Sequence, residues 1–382
     1  MHLTHLNLQN FRNFIDLDLD LVSGVTVVFG GNGQGKTNLL EAASILATVK
    51  SLRAGSEREL INWDSERIDE IPFVRVRGNV SRASGPIQLE VVVQLVKGSD
   101  EGSQLQKRGR LNGVVKRASD LVGQANAVLF APQDIELVHG SPSLRRQYLN
   151  IMLSQAGGPM LRELQRYTKV LTQRNSLLKA IRERAANSHE LDFWDSELVE
   201  SGAFITQQRA EAMGSLQGLS RQIHRELTGG QEELTLTYHP SVPTAHGADV
   251  REAFRLALAS ARKRESALGA SLVGPHRDDF AFYLAGRDMG IFSSRGQQRT
   301  ASLALKLAEA QYLRERTGES PILLLDDVFS ELDAQRRSYL VSWIAGWEQA
   351  LLTTAEPEQI ERRLLPNAVM LEVVGGRVSV RG

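Results

Sequence analysis

Two short segments of this chain carry the residue types needed to hold a nucleoside triphosphate with Mg²⁺. The first, GGNGQGKT at Gly30–Thr37, fits the pattern G-x-x-x-x-G-K-[ST]. Its glycines let backbone N–H groups turn toward phosphate oxygens. Lys36 can reach the β- and γ-phosphates, and the Thr37 hydroxyl can ligate Mg²⁺. The predicted nucleotide-binding residues here are Gly30, Gly31, Asn32, Gly33, Gln34, Gly35, Lys36, Thr37 and Asn38.

The second segment is an apolar run that ends in two carboxylates, Ile322–Asp327. Asp326 can hold Mg²⁺ directly or through water, and Asp327 can orient or deprotonate an attacking water molecule. Alone this pattern is weak, because apolar strands often end in Asp. Paired with the glycine loop it predicts a site for ATP and Mg²⁺, with Lys36 and Asp327 as catalytic residues.

Hydrophobic patterning predicts the elements that position these residues. Leu21–Phe29 is rich in β-branched and aromatic side chains, which favours a buried strand before the loop. Thr37–Val49 is apolar at helical spacing, so the free N–H groups of a helix would face the phosphates. Ile322–Leu325 is fully apolar, as expected of a central parallel strand. This context argues against the alternative of a chance glycine-rich turn.

Two further motifs narrow the class. Ser293–Arg299 lies just before a helical stretch, Thr300–Arg316, and Ser330–Asp333 follows the carboxylate strand closely. Taken alone, the first motif could be an ordinary N-capped helix. The order of the motifs resembles that of ABC-type ATPases, in which the signature of one subunit closes on the nucleotide of another. The resemblance implies an ATP-dependent homodimer and nucleotide contacts from Ser294, Gly296, Gln297 and Asp333.

The resemblance becomes more specific elsewhere. Leu6–Phe14 is similar to the opening of the chromosome-maintenance and repair branch of this class. Phe130–Val138, Gly140–Pro142, Arg145–Leu149 and Gly274–Asp279 resemble the RecF family of bacterial recombination mediators. The similarity covers essentially the whole chain.

That resemblance assigns further roles. Gln133 would be the Q-loop glutamine that senses the γ-phosphate and Mg²⁺, although the family more often has an acidic residue there. The family also more often has Asp where Asn150 stands. Arg12 would contact the nucleotide, or would simply be exposed, and Arg53 could be a phosphate-side arginine. By residue type, His276, Arg277, Asp278 and Asp279 look like a metal or catalytic cluster. They lack the usual spacing of a metal site, which favours a structural or DNA-facing role near the signature.

The resemblance also implies a function. A weak, DNA-dependent ATPase would close two heads over two ATP molecules and clamp DNA, and slow hydrolysis would reopen the dimer. With RecO and RecR it would promote RecA loading on SSB-coated gaps in recombinational repair, replication restart and the SOS response. The DNA would be single-stranded, gapped or a single-strand/duplex junction. None of these partners follows from spacing or composition.

Charge and composition bound the possibilities. The chain has 382 residues, no Cys and a formal net charge of zero. These features fit a reducing cytoplasm and exclude a thiolate metal site, and no signal peptide or membrane span is apparent. A local basic cluster predicts phosphate contacts with DNA, unless it is a solvated face or is paired internally. Its members are Lys107, Arg108, Arg110, Lys116 and Arg117.

The predicted fold class is α/β. It combines an ABC-type P-loop ATPase head, with a mixed β-sheet and helices, and an inserted, mainly helical domain with a short antiparallel arm. The head would comprise residues 1–130 and 268–382, and the inserted domain residues 131–267. A basic helix around Leu164–Ile181, interrupted by Arg174, would fold back on an acidic helix, Leu191–Leu227, and neutralise itself.

Shorter patterns predict the remaining elements. Alternating apolar residues in 73–96 indicate antiparallel strands, and Leu234–Tyr238 alternates in the same way. The other predicted elements are a polar hairpin at Ser99–Ser103, a turn at Arg110–Gly113, a Pro/Gly-rich loop at His239–Gly247 and a helix at Val250–Leu268.

Three alternatives come from other classes. An ABC transporter subunit would bind a membrane permease and no DNA, and Thr353–Thr354 stands where transporters usually carry His. A chromosome-maintenance head would need long coiled arms, for which the predicted arm is too short. A kinase would leave Ser293–Arg299 and Ser330–Asp333 unexplained.

Overall fold

The computed structural model describes residues 1–65, 71–97, 103–230, 232–242, 249–357 and 367–381. The predicted hairpin at Ser99–Ser103 lies outside the described residues except for Ser103, and the loop after His239 is described only as far as Val242. The chain forms two compact units. The first comprises Met1–Asp134, Glu226–Gly230 and Lys306–Gly382, and the second comprises Ile135–Arg225 and Gln231–Leu305.

Fifteen strands in the described residues form three sheets. They are β1 (His2–Phe11), β2 (Phe14–Asp20), β3 (Gly24–Phe29), β4 (Phe73–Ser81), β5 (Ile87–Lys97), β6 (Ser103–Leu111), β7 (Val114–Lys116), β8 (Ala127–Phe130), β9 (Leu234–His239), β10 (Asp279–Leu284), β11 (Arg287–Asp288), β12 (Ile322–Asp326), β13 (Gln349–Thr354), β14 (Val369–Val374) and β15 (Arg377–Arg381). The antiparallel strands predicted within 73–96 and the strand at β9 are confirmed.

Nine α-helices are described. They are α1 (Lys36–Thr48), α2 (Glu136–His139), α3 (Pro142–Ala156), α4 (Gly158–Arg182), α5 (Leu191–Leu227), α6 (Val250–Leu268), α7 (Met289–Phe292), α8 (Arg295–Thr317) and α9 (Ala334–Ile344). Among the described residues, none of these helices is both long and apolar enough to cross a membrane.

Both sheets of the first unit have six strands. One is antiparallel, in the order β2-β1-β4-β5-β6-β7, and the other has the order β15-β14-β3-β13-β12-β8 with parallel pairing from β14 to β8. Because parallel strands end at the same edge of a sheet, the loop after β3 and the carboxylates at the end of β12 meet there. β13 lies between the two strands.

Local sequence explains where the nucleotide-site elements begin and end. β3 begins at Gly24 rather than at the predicted Leu21, and Gly24 has φ +90°, a conformation that favours glycine. α1 matches the predicted helix within one residue at each end, and Val49 caps its C-terminus: Val49 has a left-handed backbone, and its N–H donates to the Ile45 carbonyl. The side chains of Ile322–Leu325 are at most 2% exposed, as a central strand requires.

The start of α8 differs from the prediction. It begins at Arg295 rather than at Thr300, so most of the Ser293–Arg299 motif forms the first turn of the helix. The Ser294 hydroxyl accepts from the Gln297 N–H at 3.3 Å, and the Gln297 side chain accepts from the Ser294 N–H at 3.0 Å. This reciprocal capping satisfies two N–H groups and favours the earlier start.

The second unit contains the predicted antiparallel arm, formed by α4 and α5. A turn capped by the Asn187 and Glu190 side chains joins the two helices. Arg166 donates to Glu197 at 2.7 Å, so the basic helix is partly neutralised by the acidic one, as predicted. Arg174 interrupts the apolar seam because it is fully buried against α6 and bonds Glu265 at 2.7 Å.

Candidate functional site

The path of the glycine loop requires glycine at two positions. A Cβ on Gly30, which has φ +150°, would lie 2.3 Å from the Val373 carbonyl oxygen. A Cβ on Gly35, which has φ +119°, would lie 2.6 Å from Asn13 Nδ2. The tip, Gly31–Gly33, is exposed. The loop therefore fits tightly at both ends and is open in the middle, where its N–H groups can meet an anion.

Asn13 and the β14–β15 turn hold the loop in place. Asn13 Nδ2 donates to the Gln34 carbonyl at 2.7 Å, and Asn38 donates to Asn13 Oδ1 at 2.8 Å. The Gly375 N–H donates to the Gln34 side chain at 2.7 Å. Sequence reasoning missed the role of Asn13, because its only signal was its place in the opening segment and its partners lie far along the chain.

Lys36 lies against the loop. Its Nζ donates to the Gly30 carbonyl at 2.7 Å and to the Gly31 carbonyl at 2.9 Å. Burial lowers the pKa of Lys36, and the charges of Asp327 and then Asp326 oppose that change. The ammonium group is therefore partly dehydrated and faces two carboxylates, so it can neutralise the charge of a bound phosphate.

The predicted Mg²⁺ ligands are adjacent. The Thr37 hydroxyl donates to Asp326 Oδ1 at 2.8 Å, and the Thr353 hydroxyl donates to the same atom at 2.7 Å. The Asp326 carboxylate is only 7% exposed, so these contacts fix its direction. Hydroxyl and carboxylate oxygens are ligands that suit Mg²⁺, and the residues present fit that ion. Thr353, at the position where transporters carry His, orients the carboxylate.

Asp327 leaves the strand in an uncommon backbone conformation. Its φ is +50°, a left-handed value that Asp tolerates better than most residues. Its N–H donates to the Thr353 hydroxyl at 3.0 Å, and its carbonyl accepts from the Ser330 hydroxyl at 2.8 Å. The backbone is thus held on both sides, which sets the position of the carboxylate beside the Lys36 site.

The signature residues belong to the second unit. Ser294 and Gly296 are exposed at the start of α8, and Gln297 Nε2 donates to Glu232 at 2.7 Å. Asp333, in the first unit, caps α9 by accepting from the Arg336 N–H at 2.9 Å. The caps hold these residues in place, and Ser294, Gly296 and Asp333 remain exposed.

Two residues carried over by resemblance have different surroundings. Gln133 lies exposed on a 3₁₀ turn, Pro132–Ile135. Arg12 is held by the buried Glu41, to which it donates at 2.9 and 3.1 Å, and by the Glu59 carbonyl. Arg53 also approaches Glu41, at 3.8 Å. Glu41 therefore anchors both arginines near α1.

The basic cluster lies on β6, on β7 and just beyond it, and divides into two groups. Lys107 pairs with Glu57 and donates to the Val49 carbonyl, while Arg110 donates to Glu90 at 2.9 Å. Within the described part of the chain, the other three basic residues are exposed and have no carboxylate partner. These are Arg108, Lys116 and Arg117. The internal-pairing alternative thus applies to Lys107 and Arg110 and leaves the other three available.

The Gly274–Asp279 segment forms a hydrogen-bonded hub in the second unit. Asp278 is 1% exposed and accepts from Arg209 at 3.0 Å, from the Ser241 N–H at 2.8 Å and from Tyr238. Asp279 binds Arg145 through both oxygens, at 2.6 and 2.9 Å. No group of three or more His, Cys, Asp or Glu residues that could hold a metal occurs among the described residues. Both carboxylates accept hydrogen bonds within the hub.

His276 belongs to the same hub, and its tautomer follows from its partners. Its Nε2 lies 3.2 Å from the Ser271 carbonyl, which can only accept, so Nε2 carries the proton. Its Nδ1 therefore accepts from the Tyr167 hydroxyl at 2.6 Å. Burial lowers the pKa of His276 from 6.5 to about 4, so the ring is neutral at neutral pH.

This pKa predicts a pH dependence of stability. Between its folded and unfolded pKa values, the unfolded chain binds more protons at this residue. The contribution of His276 to the free energy of unfolding is therefore complete above pH 6.5. It is lost as the pH falls toward about 4. In denaturant unfolding, the wild type should lose its stability advantage over His276→Gln across that window, by up to about 1.4 kcal/mol per pH unit. An advantage that does not change with pH would contradict this assignment.

The fold and the geometry of this site define an ABC-type ATPase head. A family profile described as RecF/RecN/SMC N terminal domain matches residues 2–373. A head domain of the Smc protein from Pyrococcus furiosus shares the fold, with a TM-score of 0.53 at 15% identity.

Full-length relatives narrow the family. The DNA replication and repair protein RecF of Chloroflexus aurantiacus is 44% identical over 366 residues, which cover 93% of each chain. That of Halalkalibacterium halodurans is 39% identical over 386 residues and covers 100% of both chains. A solved structure of the recombination mediator protein RecF-ATP in the RecFOR pathway matches with a TM-score of 0.87 and 32% identity, covering 100% of this chain and 97% of that one. The chain belongs to the RecF family.

Proposed function

We propose that this chain is an ATP-dependent DNA-binding protein of DNA replication and recombinational repair. The observation that carries the proposal is the hydrogen bond from Thr37 to Asp326, at 2.8 Å. It joins the two halves of a predicted ATP site that lie far apart in sequence. A related structure is described as RecF-ATP, and the curated relatives are described as DNA replication and repair proteins.

In this proposal the nucleotide site has three parts. The N–H groups of the loop from Gly30 to Asn38 and the Lys36 ammonium bind the phosphates. Thr37 and Asp326 hold Mg²⁺, which when bound neutralises phosphate charge. Asp327 orients or deprotonates the attacking water, and Gln133 and Arg12 reach the nucleotide when it is bound. Gln133 is exposed, which leaves it free to move, whereas Arg12 would have to exchange part of its Glu41 contact.

The signature and D-loop residues complete the site of a second subunit. Ser294 and Gly296 expose a capped helix start, and the N–H groups at such an end favour an anion. Gln297 belongs to the cap of α8, and Asp333 caps α9. ATP would then be bound between two copies, and the homodimer would depend on it. Hydrolysis is slow because the catalytic arrangement is complete only in the dimer.

The DNA partner is proposed from the family and from local charge. The closed dimer clamps single-stranded DNA, gaps or single-strand/duplex junctions, and Arg108, Lys116 and Arg117 are its first candidate contacts in the first unit. Lys107 and Arg110 are weaker candidates because each has an acidic partner. RecO and RecR assist in loading RecA on SSB-coated gaps, and the ATPase is weak and DNA-dependent.

The domain and compartment proposals rest on the same family. We propose a head of residues 1–130 and 268–382, an inserted domain of residues 131–267 and a cytoplasmic location without a membrane partner. The compact units divide the chain at different residues: after Asp134, on both sides of Glu226–Gly230, and within α8 after Leu305.

Sedimentation and DNA binding with and without ATP·Mg²⁺ test the proposed function. The full chain should be monomeric without nucleotide, should dimerise with ATP·Mg²⁺ and should bind a gapped DNA only in the dimeric state. A chain that binds ATP, stays monomeric and ignores DNA would overturn the clamp and would bring the transporter alternative forward.

A further inference from the structure

Arg146 and Arg277 differ from the other arginines of the Gly274–Asp279 hub. Arg145 pairs with Asp279 and Arg209 pairs with Asp278. Within the part of the second unit that the structure describes, neither Arg146 nor Arg277 has a carboxylate partner. Each makes one side-chain hydrogen bond to a backbone carbonyl: Arg146 to Asp278 at 3.0 Å, and Arg277 to Ser271 at 3.1 Å.

The two nearby carboxylates are already occupied. Asp278 accepts from Arg209, from Tyr238 and from the Ser241 N–H, and Asp279 binds Arg145 through both oxygens. The other partners of Arg209 are neutral: the Pro275 carbonyl accepts at 2.7 Å and the Asn150 amide oxygen accepts at 2.8 Å. Four guanidinium groups therefore share two carboxylates, and the cluster has an excess of positive charge.

The geometry suits an anion with several oxygens. Each guanidinium group is tethered through one N–H and keeps its other donors for a ligand, so less side-chain entropy is lost on binding. Arg277 is exposed and Arg146 is half-buried. Burial lowers the pKa of Arg146, the charges of Arg209 and Arg277 lower it further, and the charges of Asp279 and Asp278 oppose that change. Guanidinium groups that lie close together and are partly dehydrated attract an anion, because it lowers their mutual repulsion.

We propose that Arg146 and Arg277 form a phosphate-binding pair that contacts the DNA backbone. The inference rests on the proposed DNA-binding function and adds a contact site in the second unit. Guanidinium groups match phosphate oxygens in a forked geometry. Contacts with phosphates carry no base information, so the pair strengthens binding to every sequence alike.

The test compares a double variant, Arg146→Gln/Arg277→Gln, with the wild type for binding to a labelled short duplex and to a single strand in ATP·Mg²⁺. The affinity should fall about tenfold or more at physiological salt. The slope of log K against log salt should become shallower by about 1.8 on the duplex and about 1.4 on the single strand, because two phosphate contacts are lost. A change in slope that is confined to one of the two substrates identifies the DNA form that the pair contacts.

A matched control removes two arginines that already have carboxylate partners. Arg166 pairs with Glu197 and Arg255 pairs with Glu252, both in the second unit. Arg166→Gln/Arg255→Gln makes the same change in net charge, but it removes arginines that are already paired with carboxylates. No phosphate contact should be lost, and the salt slope should stay at the wild-type value. Equal losses of DNA affinity in the two double variants would show a general charge effect. That result would overturn the proposed phosphate-binding pair.

Asn150→Asp tests the pair without touching either arginine. The substitution keeps the shape of the side chain and adds a negative charge beside Arg209. It should weaken DNA binding severalfold while the unfolding midpoint stays unchanged or rises. Unaltered DNA binding in a folded Asn150→Asp protein would count against the excess-charge argument, even if the double variant failed to fold.

The outcomes separate this inference from the proposed function. If the wild type binds no DNA in ATP·Mg²⁺, the proposed function fails and the pair fails with it. If the wild type binds DNA and Arg146→Gln/Arg277→Gln binds with the same affinity and salt slope, only the phosphate-binding pair is overturned.

Discussion

Replacing Lys36 by Met should strongly weaken ATP binding and abolish ATP hydrolysis. The Lys36 ammonium lies within 2.9 Å of the Gly30 and Gly31 carbonyls and faces the charges of Asp326 and Asp327. Without it, the phosphates would meet two carboxylates with less positive charge to offset them. We expect the Kd for ATP to rise about 100-fold or more, which corresponds to about 3 kcal/mol of binding free energy. Titration with a fluorescent ATP analogue measures this change.

Lys50→Met is the matched control for Lys36→Met. Lys50 is exposed just beyond the other end of α1, so its loss removes the same charge from the same region of the chain. It should leave the Kd for ATP within about twofold of the wild type, since screened surface charges contribute little. If both variants lost ATP affinity to a comparable extent, there would be no reason to infer that Lys36 contacts the phosphates.

Replacing Arg174 by Met should strongly destabilise the second unit. The Arg174 side chain is 0% exposed and bonds Glu265, Asp195 and the Ser271 hydroxyl, each at 2.7 Å. Glu265 is also 0% exposed, so the substitution would leave a buried carboxylate without its cation. The expected loss is about 3 to 5 kcal/mol, measured as the free energy of unfolding in denaturant.

Two comparisons isolate the buried pair. Lys179→Met changes an exposed residue of the same helix, α4, and should alter the unfolding free energy by less than about 0.5 kcal/mol. Arg174→Met/Glu265→Gln should be more stable than the sum of the two single changes predicts, by about 1 kcal/mol or more. If Arg174→Met lowered the free energy of unfolding no more than Lys179→Met does, the Arg174–Glu265 pair would contribute nothing to stability.

The local parts of the nucleotide site follow from sequence because neighbouring residues determine them. Gly30–Thr37 and the apolar spacing of α1 lie within one strand–loop–helix unit, so the motif predicts its own geometry. The Arg110–Gly113 turn is confirmed for the same reason. Asn112 and Gly113 both have positive φ, as a two-residue hairpin turn requires.

Contacts made by residues far apart in sequence were not predictable. Thr353 orients Asp326 only because β13 lies between β3 and β12, and no local pattern specifies that strand order. Arg174 appeared as a break in an apolar seam, and its meaning depends on Glu265, which belongs to another helix. Asn13 likewise acquires its role from the loop residues that it contacts.

The sequence shows where basic residues cluster, but not which of them have acidic partners in the fold. Lys107 and Arg110 were grouped with three other basic residues, yet each has an acidic partner in the fold. Arg110 lies directly opposite Glu90 in the register of β6 and β5, and only that register reveals the pair. For Arg146 and Arg277 the opposite holds. Two carboxylates are adjacent in sequence to Arg277, but in the fold they pair with Arg145 and Arg209.

The central claim is that each ATP site is built from two subunits, and mixing two inactive variants tests it most directly. Lys36→Met damages the loop of one subunit, and Ser294→Arg damages the signature that reaches the other. Each variant alone should lack ATPase activity. An equal mixture should recover about a quarter of the wild-type rate, because about half of the dimers are mixed and each of these has one intact site. A mixture as inactive as its components would contradict the shared site.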